Sequence, residues 1–166
     1  DVALVDPETT ATMPRELVGH TGMDALTHAI EAAVSLAASD LTRVHALAAI
    51  ALLDTWLPRR MEHPADPEAM DRCMLASMQA GLAFSNASLG AVHAMAHALG
   101  GVLDLPHGLC NALLLPEVVA FNPARGSYAA LVCDPAAECP PCVPILDGLR
   151  AECVSGHCSV IELAVP

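Results

Sequence analysis

The run GMDALTHAIEA, residues 22–32, sets an acid and a histidine four positions apart in a stretch that is otherwise small and mostly apolar. Apolar side chains recur through Leu26, Ile30, Ala33 and Val34, so the run reads as a helix with one face turned to a core. Positions i and i+4 lie one above the other on a helix, which sets Asp24 and His28 side by side. Burying that pair among apolar neighbours is unfavourable unless something compensates it, and a divalent cation would do so directly.

Working outward, Pro14 suits the start of this first helix. Ser39 or Asp40 can cap a second helix, LTRVHALAAIALLDTW, which Pro58 is expected to end. Asp66 can cap a third, PEAMDRCMLASMQAGLAF, and a fourth spans about Leu89 to Leu99 and is expected to stop at Gly100-Gly101. A fifth starts near Pro106 and bends or ends around Pro116. With 54% hydrophobic residues, only 2% aromatics and alanine and leucine at the apolar positions, the 166-residue chain is expected to be an all-α helical bundle. Upstream, DVALVD reads as one short strand followed by a linker.

The net charge of −12, with the seven basic residues all arginine and mostly isolated, argues against nucleic acid as a partner. Residues 73–103 contain no Asp, Glu, Lys or Arg, but His93, His97, Gln79, Asn86 and four glycines in that run argue for a buried helix pair rather than a membrane span. No basic n-region followed by an apolar h-region opens the chain, so a cytoplasmic location is expected.

VHAMAH repeats the opening device with His93 and His97 four apart, and the PHG that follows the glycine pair presents His107 at the start of the next helix. Asp24, His28, His93 and His107 would then offer one carboxylate oxygen and three imidazole nitrogens, a donor set of borderline softness that suits Fe(II) or Zn(II) and not Ca(II). Such an ion keeps Lewis acidity toward an exogenous oxygen. His20, His45, His63 and His157 show no comparable convergence and read as surface or structural residues. A carboxylate-bridged di-iron bundle would need several glutamates, whereas Asp24 is the only acid expected to face inward and Glu31 reads as a solvated or capping residue.

The segments TGMDALTHAIEAAVS, GLAFSNASLGAVHAMAHALGGVLDLPHGLCNALLLP and VVAFN closely resemble the C-terminal helical domain of the iron-containing (group III) alcohol dehydrogenases, over about residues 1–122. The resemblance implies the same four metal ligands and places His97 beside the metal, in a proton-transfer or positioning role. It implies oxidation of a small alcohol, or reduction of an aldehyde, with hydride passing to or from NAD or NADP. It also implies a preceding dinucleotide-binding domain, whose glycine-rich phosphate loop is not found in this sequence.

Residues 1–13 are therefore expected to be a strand and linker left from that domain, 14–125 the metal-binding catalytic domain, and 126–166 a divergent tail. The tail carries five of the seven cysteines and reads as unstructured or foreign. A zinc site from Cys139, Cys142, Cys153, His157 and Cys158 is disfavoured by its spacing. On this reading the chain is a fragment, inactive alone, with exposed apolar surface that predicts self-association or reduced stability. The rival reading is a non-catalytic metal-binding helical module.

Overall fold

The structure is a computed structural model in which residues 4–124, 144–146, 149–154 and 157–162 are described, with side chains over 4–122. The chain divides into two compact units, Asp1–Ala120 and Phe121–Pro166.

The helices are a 3-10 helix, Pro7–Thr10, then α1 (Arg15–Val34), α2 (Asp40–Glu62), α3 (Pro67–Ala87), α4 (Ala91–Leu103) and α5 (His107–Ala124). The helical bundle expected from composition is what forms. Its body is α1, α2 and α3 packed on one another, and their seam is built largely of alanine. Ala32, Ala46, Ala83 and Ala87 form one fully buried cluster, and Ala29, Ala49 and Ala80 a second. Side chains this small let helix axes approach closely, and a further buried cluster holds the larger Val18, Leu53 and Leu57.

The helix starts fall close to the expected places. Pro14 is the N-cap of α1. Ser39 and Thr42 form a capping box on α2, and the Asp66 carboxylate accepts from the Glu68 and Ala69 amides at the start of α3.

The expected helix ends differ. α2 continues through Pro58 to Glu62, because Pro58 removes one backbone bond while Leu57 and Arg60 stay buried on either side of it. α4 runs through Gly100-Gly101 and ends at Asp104, which takes the left-handed conformation at φ 54°. A Cβ on Gly100 would lie 3.3 Å from the Leu105 carbonyl and 3.7 Å from Cys110 Sγ, so this glycine serves close packing. α5 likewise passes through Pro116.

Upstream, Leu4–Asp6 form no strand. The segment leads instead into the 3-10 turn that Asp6 caps.

In the second unit, the tail expected to be irregular contains a three-stranded antiparallel sheet in the order β1 (Pro144–Leu146), β2 (Leu149–Val154), β3 (His157–Glu162). The β2–β3 register pairs Val154 with His157 and Cys153 with Cys158. The signal was present in sequence, since Ser-Gly separates two runs containing Val154, Val160 and Ile161. The side chains of Cys139, Cys142, Cys153, His157 and Cys158 lie outside those described.

Among the described residues no helix is long and apolar enough to cross a membrane. The helical unit exposes large apolar side chains, among them Leu36, Leu41, Val44 and Leu47.

Candidate metal centre

Three helices bring the site together. α1 presents Asp24, His28 and Glu31 at i, i+4 and i+7, one stripe of its surface. α4 contributes His93 from its first turn, and α5 contributes His107, its first residue, with Asn111 one turn on.

The close seating of α5 depends on Gly108. A Cβ there would lie 2.0 Å from the His20 carbonyl oxygen, so only glycine lets the start of α5 rest directly on the backbone of α1. His107 is placed next to Asp24 by that contact.

Asp24 Oδ1 is the hub. His93 Nε2 and His107 Nε2 each lie 3.4 Å from it, and His28 Nε2 lies 3.8 Å away. Donor atoms of Asp24, His28 and His93 all fall within 4.8 Å of one another, a spacing at which one ion could be shared. His107 is the looser fourth member, joined through Asp24. The His28 ring is stacked between Phe84 of α3, at 4.3 Å between ring centres, and His93, at 4.4 Å, so its orientation is fixed by packing.

His97 stands at the exposed rim, its ring centre 5.0 Å from that of His107 and 6.3 Å from that of His93. Of the remaining histidines, His45 pairs with Gln79, and His63 is exposed at the end of α2. The His20 carbonyl backs Gly108.

Two participants were missed in sequence. Glu31 is not solvated: it is 4% exposed, and both carboxylate oxygens are engaged. Oε2 pairs with His93 Nδ1 at 2.6 Å, while Oε1 accepts from the Val92 amide at 2.7 Å. The second bond caps α4, whose own N-cap, Gly90, has no side chain to do so. Asp24 is thus not the only inward acid, and the i+7 position relative to it was the available signal.

Asn111 is fully buried, and its amide nitrogen lies 2.6 Å from Asp24 Oδ1, 3.2 Å from His93 Nε2 and 3.1 Å from His107 Nε2. Its signal was again helical spacing, four residues after His107. A carboxylate oxygen and two imidazole nitrogens thus meet within 3.2 Å of one side-chain nitrogen, and with the imidazoles deprotonated at Nε2 they form a donor set that a cation could share. One oxygen and three imidazole nitrogens fit a borderline divalent ion.

The electrostatics are tightly coupled. Burial works to lower the His93 pKa, but hydrogen bonds to Asp24 and Glu31 and the charges of both acids outweigh it and push it up to about 9. Burial works to raise Asp24, yet its bond to His93 and the nearby imidazoles hold it below the usual carboxylate range. Glu31 is held low in the same way against its burial, by His93 and by the Gly90 and Val92 amides. His28 is pushed down by burial, with the His93 and His107 charges adding to that and the acids opposing it.

A pH dependence follows for the metal-free chain. The raised His93 stabilises the fold fully below its ordinary value of 6.5 and loses that contribution as pH rises through about 9. The lowered His28 acts in the opposite sense, removing stability as pH falls below 6.5, and the two lowered acids do so further down, below about 4. Urea midpoints measured in chelator should therefore peak near pH 6.5 and decline toward pH 9. A midpoint that keeps rising across that range contradicts the assignment.

The chain matches the Fe-containing alcohol dehydrogenase family, C-terminal, over residues 19–132. It is 51% identical over 117 residues to alcohol dehydrogenase 4 of Schizosaccharomyces pombe, covering 70% of this chain and 28% of that protein. It is 45% identical over 121 residues to an NAD-dependent methanol dehydrogenase of Bacillus methanolicus, covering 73% and 32%. Among solved structures, a 1,3-propanediol oxidoreductase superposes with TM-score 0.72 at 43% identity, over 76% of this chain and 33% of that one. An iron-containing alcohol dehydrogenase from Thermococcus thioreducens gives TM-score 0.72 at 42% identity, over 78% and 33%. The chain belongs to the iron-containing alcohol dehydrogenase family and corresponds to its C-terminal domain. It spans about a third of the length of the relatives it matches.

Proposed function

We infer that this chain carries the metal-binding half of an alcohol dehydrogenase active site, with Asp24, His28, His93 and His107 as ligands to Fe(II) or Zn(II). The observation that carries the reading is the convergence of three imidazoles on Asp24 Oδ1, from three separate helices. When bound, such an ion supplies Lewis acidity toward the oxygen of an alcohol or carbonyl compound.

The chain's own residues do the rest of the local work. Glu31 holds His93 Nδ1, which leaves Nε2 directed at Asp24 and available as a donor. Phe84 fixes the His28 ring by stacking. Asn111 donates to Asp24 Oδ1 and restricts its rotation. His97, exposed at the rim, can accept or return a proton at its imidazole as an alcohol is oxidised or a carbonyl reduced. The buried side of the site excludes water and strengthens each of these interactions.

Hydride exchange in this reading is with NAD or NADP. Among the described residues no strand leads through a glycine-rich turn into a helix, so none of them is assigned to holding a dinucleotide. The 166-residue chain alone is therefore predicted to bind an ion without turning over an alcohol.

The test is anaerobic loading with Fe(II), Zn(II) or Co(II), followed by dialysis, elemental analysis and an assay with NAD, NADP and a short-chain alcohol. One ion retained per chain, cobalt ligand-field bands typical of mixed nitrogen and oxygen donors, and no reduced nicotinamide are expected. A chain that retains no ion refutes the ligand assignment, and turnover by these 166 residues alone refutes the assignment of dinucleotide binding to a part of the enzyme outside them.

A further inference from the structure

A cavity of about 270 Å³ opens where the 3-10 helix meets α1, α2 and α3. It shares no side chain with the acid–histidine cluster. α1 separates the two by face: Val18, Thr21, Gly22 and Ala25 line the cavity, while Asp24, His28 and Glu31 serve the cluster.

The cavity is mostly apolar, with Met13, Val18, Leu53 and Leu57 on its walls and one guanidinium, that of Arg60. Arg60 is 3% exposed. Its Nη2 donates to the Thr10 carbonyl and the Thr10 hydroxyl, both at 2.9 Å, and its Nε is buried with no hydrogen-bond partner. Among the described residues no carboxylate pairs with it, whereas its neighbour Arg59 has both Asp66 and Glu68. The ionisable group that does stand near it, the Cys73 thiol, is pushed up by burial, which keeps it neutral at pH 7. A buried cation whose Nε–H has no acceptor is unfavourable until an anion meets it, and one carboxylate oxygen can accept that charge-assisted bond.

We propose that this cavity binds a small monocarboxylate with a short apolar tail, its carboxylate on Arg60 and its tail among Val18, Leu53 and Leu57. A compact inorganic anion would leave the apolar walls unfilled, and a neutral tail would leave the guanidinium unpaired. The cavity is near the lower end of ligand-site volumes, which limits the tail to a few carbons.

The experiment is titration of the full 166-residue chain with hexanoate, with hexanamide as the neutral analogue and acetate as the anion with almost no tail. Hexanoate should bind at least about tenfold more tightly than either, the increment expected for a charge-assisted hydrogen bond added to apolar burial. Arg60→Met should abolish the preference over hexanamide, and Arg60→Lys should retain part of it. Should Arg60→Met not fold, the Arg60 Nε–H resonance of the unmodified chain decides the matter, because it should shift with hexanoate and not with hexanamide. Equal binding of hexanoate and hexanamide, or an unmoved Nε–H resonance at saturating hexanoate, overturns the proposal. Metal loading of the other site should leave all of these results unchanged.

Discussion

Replacing Gly108 with alanine is expected to destabilise the helical unit by about 3 kcal/mol, at the upper end of what overpacking does. On propensity alone the sign would be opposite, since alanine in a helix is better than glycine by about 1 kcal/mol. Sterics decide the outcome here. The new Cβ would stand 2.0 Å from the His20 carbonyl oxygen and 2.5 Å from its carbon, and these are backbone atoms of α1 that no rotamer change can move. α5 must therefore lift away, carrying His107 and Asn111 from Asp24. Ion affinity should fall together with the unfolding midpoint. Gly101→Ala is the matched control, because nothing lies within 4 Å of a Cβ at that helical position. It should be neutral or stabilising by up to about 1 kcal/mol. Urea unfolding of both variants and a chelator-competition titration supply the measurements. A Gly108→Ala variant as stable as the unmodified chain would mean that α5 does not sit on α1 as described.

Gly108 also shows where the sequence could be read and where it could not. Helix starts were legible at Ser39 and Asp66, because capping is a local interaction between a side chain and amides two or three residues away, and at Pro14, whose fixed φ suits the entry to a helix. Helix ends expected at Pro58 and Gly100-Gly101 were misread because tertiary packing overrides the local preference there, while at Pro116 α5 continues rather than ends. Pro58 stays helical with buried Leu57 and Arg60 close by, and a Cβ on Gly100 would crowd the Leu105 carbonyl at 3.3 Å. The four ligand candidates were legible from i, i+4 spacing and from resemblance. Their supporting residues were not, since Glu31 acts on a helix some sixty positions away and Asn111 gathers groups from all three site helices. Nothing in the order of residues marks Arg60 as buried, because its burial depends on where Thr10 and α1 come to lie.

Glu31→Gln is expected to weaken ion binding by about 10- to 100-fold while leaving the fold nearly as stable, a split that identifies a positioning residue. The glutamine carbonyl can still accept from the Val92 amide, so the cap on α4 survives. Its amide group, however, would bring a donor to His93 Nδ1, where the carboxylate now pairs at 2.6 Å. The ring can satisfy a donor only by making Nδ1 the acceptor and moving its proton to Nε2, the nitrogen that faces Asp24 and would bind the ion. The wrong tautomer is then the ground state. Glu31→Ala should behave differently: it leaves both the His93 ring and the Val92 amide without partners inside the protein, and breaking a buried pair in this way costs about 3–5 kcal/mol. Three measurements separate the cases, namely ion affinity by chelator competition, urea unfolding in chelator, and an NMR titration of His93. The His93 pKa, now pushed up to about 9, should drop in both variants because one of its two acids is gone. If Glu31→Gln binds the ion as tightly as the unmodified chain, the carboxylate serves only to cap α4, and His93 must be oriented by its packing against His28.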